Sequence, residues 1–382
     1  MALLAVTLLG FGGYAIIQTV LPLYAVHLGA STTVVGVLIL AFSIPSVLLR
    51  PTIGALVDGW SRRGVHLVGT ACLGLIGFFY VIPSLVTLLA VRVVHGAGWA
   101  AFNTAGGTAV AVLAPPPRRG EASGIYNLMP GLANMVMPAL SVVLLSTRGF
   151  AATFIVAGML GLVAAATLRA TPFPGERTPA SRPSLPEARA AAGLERHAIL
   201  PMGIEFLFTI TYTLFWVYPP VFAASLGIPI EAMIGYYVPV GIAVVASRLA
   251  MGRVIDRLGR RTALLLGAAA VTAGLVVASS ATTIVPLAIA GSLHALAASL
   301  ITPTAMAIAI DGSSVDRRGA SIATYSLGFQ LGVGVGGLSW GAAIDAVGFS
   351  WTYLLALIGP LAILTIVLRS TRLGRRPRAG TW

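Results

Sequence analysis

Lysine is missing from this 382-residue chain, cysteine occurs once, and only 11 residues are acidic. Charged side chains make up 9% of the sequence against 57% hydrophobic residues, where soluble domains are about a quarter charged. So little charge cannot cover a water-facing surface of this size, which excludes a soluble enzyme and a disordered chain. The lone Cys72 excludes an intrachain disulfide and a CxxC metal pair. There is no nucleotide-cradling loop, no metal constellation and no Ser/His/Asp set outside apolar segments, so neither an enzyme, a cofactor nor a metal is expected. The net charge of +13 comes from arginines in short clusters, not from a continuous basic face with stacking aromatics, so no nucleic-acid partner is expected either.

What the chain has instead is apolar length. Its mean hydropathy is +0.94, and a spanning helix needs about 20 mostly apolar residues. Such runs occur at 2–26, 33–57, 64–82, 84–113, 121–146, 150–169, 199–224, 231–255, 262–280, 283–310, 319–345 and 350–369. They are continuous and lack the two-residue alternation of a barrel strand, so they read as helices. The expected fold class is an all-α polytopic membrane protein with twelve transmembrane helices and the lipid bilayer as its surroundings. Residues 2–26 have no basic leading segment and no A-x-A site, and read as the first span, not a cleaved signal. Residues 170–198, rich in Pro, Arg and Glu, read as a solvated linker between a 1–169 bundle and a 199–369 bundle, with a basic tail at 370–382.

Arginine sets the expected orientation. Nineteen arginines fall in alternate connections, the linker and the tail, while the opposite connections hold only Arg148. The positive-inside rule then places both termini in the cytoplasm of a multi-pass bacterial inner-membrane protein.

The two bundles repeat each other. At an offset of 198, Tyr14 matches Tyr212, Pro22 matches Pro220, Arg50 matches Arg248, Asp58 matches Asp256, and Arg62-Arg63 matches Arg260-Arg261. At 199, His95 matches His294 and Tyr126 matches Tyr325. Two pseudo-symmetric six-helix halves can rock about a central site, which points to transport.

The strongest motif is Gly252-Arg-Val-Ile-Asp256-Arg257-Leu-Gly-Arg260-Arg261, with a counterpart at Gly54-Ala-Leu-Val-Asp58-Gly-Trp-Ser-Arg62-Arg63. GxxxDRxGRR between the second and third helices of each half resembles the signature loop of the major facilitator superfamily. The resemblance covers the whole chain and implies that fold and secondary active transport by alternating access. It implies a gating role for Gly54, Asp58, Arg62, Arg63, Gly252, Asp256, Arg257, Arg260 and Arg261. In the fourth span, Arg92-Val-Val-His95-Gly96-Ala-Gly98 resembles the RxxxGxG pattern of proton-coupled members. The whole looks closest to the drug and sugar efflux branch, the drug–proton antiporters, although the fifth-span signature of that branch is degenerate here.

Proton coupling needs a titratable group inside the membrane. Glu205 is the acid well inside a presumed span, and its alternative is an ordinary interfacial carboxylate. His95 and His294 are further candidates, with helix-interface packing as their ordinary role. Arg50, Arg92 and Arg248 add positive charge to the cavity, with snorkelling towards a membrane surface as the alternative for Arg92. Near the midplane, Tyr14, Gln18, Thr209, Tyr212, Trp216 and Tyr218 are the candidate substrate contacts, with Asn127, Tyr236, Tyr237, Tyr325 and Gln330 completing the site. The expected function is proton-coupled efflux of a small-molecule substrate by a monomer. The alternatives are transport of an organic anion, metabolite or metallophore, and a non-transporting membrane sensor.

Overall fold

The computed structural model describes residues 1–113, 119–171, 194–314 and 317–369. Most of the 170–198 linker and all of the 370–382 tail therefore lie outside the described residues. The first half runs through α1 (Ala2–His27), α2 (Thr32–Leu48), α3 (Arg50–Gly59), α4 (Arg62–Phe79), α5 (Leu85–Leu113) and α6 (Arg119–Ala170). The second runs through α7 (Ile199–Thr209), α8 (Tyr212–Trp216), α9 (Pro219–Ser225), α10 (Ile234–Leu258), α11 (Arg260–Ser279), α12 (Ile284–Asp311), α13 (Arg318–Leu355) and α14 (Ile358–Arg369).

Among the described residues seven helices are long and apolar enough to cross a bilayer, or eight if the bent pair α2–α3 is one span. Two of the seven are too long for one crossing. The run Gly124–Ala170 has 47 residues, about 70 Å of straight helix against about 30 Å of hydrocarbon. It breaks at Gly149, whose φ of 78° is left-handed. Its two arms lie side by side on α1, because Gly12 meets Met137 from one arm and Gly13 meets Ala157 from the other. The run Ala320–Arg369 breaks in the same way at Gly348, with φ of 79°. With α4 and the interrupted run α7–α9, the described helices make up twelve crossings in an all-α polytopic fold.

Two expected single helices are in fact broken. The 33–57 run bends by 44° between α2 and α3, where Pro51 sits in the first turn of α3 and disfavours helical geometry in the residue before it. The 199–224 run splits into α7, α8 and α9, with Pro219 and Pro220 opening the last piece. A broken helix inside lipid must have its freed carbonyls satisfied by the protein. Here side chains from neighbouring helices do so. Trp340 Nε1 donates to the Ile210 carbonyl at 2.6 Å, Tyr353 to that of Leu214 at 2.9 Å, and Tyr236 to that of Phe215 at 2.5 Å.

The halves meet along α2 with α13 and along α6 with α10. Small residues let the first pair touch backbone to backbone, as is usual where lipid gives no hydrophobic drive to association. A Cβ on Gly36 would collide with the Gly337 carbonyl, and one on Gly341 with that of Thr32.

Candidate functional site

The broken helix positions one wall of a small central cavity. Tyr212 and Trp216, one turn apart on α8, stack with ring centroids 5.7 Å apart. Facing them from the first half are Tyr14, Gln18 and Thr19 of α1, with Asn134 and Pro138 of α6, and Tyr237 of α10 completes the lining. In this conformation the space is nearly closed, at ≈10 Å³, about the size of one water. A larger concavity of ≈670 Å³ lies between α10 and α12, but its lining has no ionisable group and faces outward from one half.

Around this cavity the internal repeat becomes geometry. Tyr14 meets the ring of His95 at 5.9 Å, edge to face, and its repeat partner Tyr212 meets His294 at 6.3 Å in the same manner. Both histidines are fully buried. His95 Nδ1 lies 2.9 Å from the Tyr80 hydroxyl, whereas His294 is sandwiched between Phe208 at 4.9 Å and Phe215 at 4.6 Å. His294 thus occupies an aromatic core position, and neither of its ring nitrogens has a hydrogen-bond partner in the protein.

Arg92 is fully buried, so it does not snorkel. Its Nε donates to the Leu38 carbonyl at 3.0 Å, and its guanidinium lies 4.4 Å over the Phe42 ring. Its two terminal nitrogens make no hydrogen bond, although the Tyr80 side chain stands beside the guanidinium. Phe42 in turn packs 5.6 Å from Tyr14, which links this buried cation to the cavity wall.

Glu205 on α7 is also fully buried. Its Oε1 accepts a 3.1 Å hydrogen bond from Thr302 of α12. Tyr325 of α13 donates to the Thr302 carbonyl at 2.9 Å and lies beside the same carboxyl. The two ion pairs among the described residues, Arg260–Asp311 and Arg317–Glu195, are elsewhere. The buried acid therefore has hydroxyl neighbours and, among the described residues, no cation.

Several expected substrate contacts are placed differently. Asn127 is exposed, and Asn134, two turns further along α6, lines the cavity in its place. Thr209 turns back to the Glu205 carbonyl at 2.7 Å. Tyr236 is occupied by the Phe215 carbonyl, and its neighbour Tyr237 faces the cavity. Tyr325 stands with Glu205, while Gln330 lies at the seam between α2 and α13. Alternation around a helix decides these pairs, and no periodicity argument separates 236 from 237 in a segment apolar all round.

Of the gating residues, Gly252 lies within α10, and the side chains of Asp58 and Asp256 lie outside what is described. Gly54 is not at a close approach, since nothing lies within 4 Å of where its Cβ would be. Arg62 is half-buried at the start of α4, and Arg257 is exposed. Arg63 donates to the Arg169 carbonyl at 2.5 Å, and Arg261 to that of Leu368 at 3.2 Å. These are equivalent bonds in the two halves, each tying the third span to the end of the sixth. Arg260 pairs with Asp311 inside the second half. Arg50 and Arg248 sit at matching places on α3 and α10, and Arg248 reaches Gly131 of α6 across the inter-half boundary.

A duplicated twelve-helix bundle with its cavity between the halves is the architecture of a membrane transporter. The family model of the Major Facilitator Superfamily matches residues 3–275 and 202–381, and the chain belongs to that family. An uncharacterized MFS-type transporter of Methanocaldococcus jannaschii is 21% identical over 367 residues, covering 94% of this chain and 93% of that one. Among solved structures, the nucleoside transporter NupG superposes with a TM-score of 0.79 at 13% identity, covering 96% of this chain and 98% of that one. A bacterial homolog of the human lysosomal transporter Spinster, in an inward-facing and unoccupied conformation, gives 0.74 at 16% identity, covering 96% and 93%. The chain is a multi-pass membrane transporter and not an enzyme.

Proposed function

We propose that the protein is a proton-coupled exporter of small organic molecules that works by alternating access between its two halves. One observation carries the coupling: Glu205 is fully buried among uncharged hydrogen-bonding groups with no cation beside it among the described residues. An ionised carboxylate is costly in such surroundings. The acid is accommodated here as its neutral form and gives up its proton when the bundle opens it to water. Tyr14, Gln18, Asn134, Tyr212, Trp216 and Tyr237 form the substrate site, an aromatic box with two amides for orientation. The arginine-rich face lies in the cytoplasm of the inner membrane, and the signature loops at Asp58 and Asp256 control which side is open. One copy holds both halves of the cavity, so the monomer is the working unit.

A second reading, transport of an organic anion, is favoured by Arg92, whose terminal nitrogens are buried and make no hydrogen bond. The coupling claim is tested in proteoliposomes. Glu205→Gln should retain substrate counterflow, which needs no proton, and lose accumulation driven by a pH gradient. Gradient-driven accumulation equal to that of the unmodified protein would remove Glu205 as the coupling group.

A further inference from the structure

The seam between α2 and α13 is sealed over only part of its length. From Thr32 to Gly36 the two helices touch backbone to backbone. Towards the other end of α2 they leave a cavity of ≈260 Å³. Its aliphatic walls include Ile44, Leu48, Leu331 and Val335, which are 48%, 69%, 44% and 38% exposed and so face the bilayer.

Two polar groups interrupt this apolar lining, one from each half. Buried hydroxyls in membrane helices ordinarily turn back to a carbonyl of their own helix, as Thr19, Thr70 and Thr209 do here. Ser43 lines the opening, is 3% exposed, and its hydroxyl has no hydrogen-bond partner. Opposite it, the Gln330 amide is 7% exposed and makes no hydrogen bond to the described residues. No ionisable group lines the space. Each polar residue follows an aromatic that packs behind a ring of the central site: Phe42 lies 5.6 Å from Tyr14, and Phe329 5.6 Å from Tyr212.

We propose that this seam is a lateral port that receives an amphiphile from the bilayer, an alkyl chain bearing an uncharged hydrogen-bonding head such as an alcohol or amide. The head exchanges hydrogen bonds with Ser43 and Gln330 while the chain stays among the lipid-facing aliphatic residues. The port joins the bilayer to the central cavity and selects a lipophilic, uncharged class of substrate; it rests on the transport reading for its purpose, but not for its binding chemistry.

The test is photolabelling of the full chain in liposomes with a diazirine-bearing octanol, with adducts located by mass spectrometry. Two hydrogen bonds should raise labelling of the seam about tenfold over Leu249 and Val285, which face lipid elsewhere at 69% and 62% exposure. Excess octanol should compete the signal away, and Ser43→Ala with Gln330→Leu should reduce it to the level of those two positions. Should that double variant misfold, competition in the unmodified protein decides alone. Seam labelling no stronger than at Leu249 and Val285, or unaffected by octanol, would mean a lipid bystander only and overturn the port. Labelling as expected in a protein that moves no protons would instead overturn the coupling reading and leave the port standing.

Discussion

Asp345, just before the Gly348 break of α13 in the second half, grips Thr32 in the first turn of α2 in the first half. Its Oδ1 accepts from the Thr32 amide at 3.0 Å and hydroxyl at 2.6 Å. Its Oδ2 accepts from the Thr33 amide at 2.8 Å and hydroxyl at 2.5 Å. A carboxylate on the first amides of a helix is favourable both as a hydrogen-bond acceptor and against the helix dipole. Here acceptor and helix belong to opposite halves, and the Tyr218 hydroxyl of the second half also reaches the Thr32 carbonyl of the first at 3.4 Å. This end of the bundle is shut by groups that must separate when the halves rock.

Asp345→Ala should favour the state that is open at this end. Labelling of Gln18→Cys by a membrane-impermeant maleimide, added from the Thr32 side, should speed up about tenfold for loss of one strong inter-half contact. An unchanged rate would mean that the bridge does not hold that end closed.

Glycine substitutions should separate seam from surface. Gly36→Ala places a methyl group against the Gly337 carbonyl and should abolish transport by keeping α2 and α13 apart. Gly54→Ala meets nothing within 4 Å and should leave transport within about twofold of normal. Transport rates in proteoliposomes at matched protein levels check both.

The interrupted seventh crossing depends on side-chain donors from outside it. Trp340→Phe keeps the ring but removes the Nε1 donor from the Ile210 carbonyl. Leaving that buried acceptor unpaired should lower stability by about 1–3 kcal/mol, read as an earlier thermal transition in detergent. Tyr353→Phe should act in the same direction through Leu214.

Trp216→Ala removes the partner stacked on Tyr212 in the cavity wall. Substrate KM should rise about tenfold, with thermal stability near normal because Trp216 is only partly buried. A loss of stability with unchanged KM would make Trp216 a packing residue.

The twelve crossings, the duplication and the matching of Tyr14 with Tyr212 and of His95 with His294 were legible because membrane helices advertise themselves by length, and because matched polar residues in an apolar chain are rarely accidental; that each Tyr would meet the His of its own half was not. Helix breaks were not legible: the bend at Leu49 and the segmented α7–α9 depend on where Trp340, Tyr353 and Tyr236 can catch a stray carbonyl. The direction each side chain faces was not legible either. In crossings apolar on every side, nothing local assigns Tyr237 to the cavity and Tyr236 to the core, or sends Gln330 to the seam. The inter-half bridge escaped for a related reason, since Asp345 reads in isolation as one more acid at a helix end, and only tertiary contact brings it 313 positions back to Thr32.

The central claim is that substrate movement is exchanged for protons through Glu205, and everted membrane vesicles test it most directly. A respiration-driven pH gradient is monitored while uncharged amphiphiles, lipophilic cations, sugars and organic anions are added in turn. The account predicts that one class collapses the gradient in vesicles carrying the unmodified protein and not in those carrying Glu205→Gln. A gradient unmoved by every class with folded protein present, or a collapse of equal size in the Glu205→Gln vesicles, would contradict it.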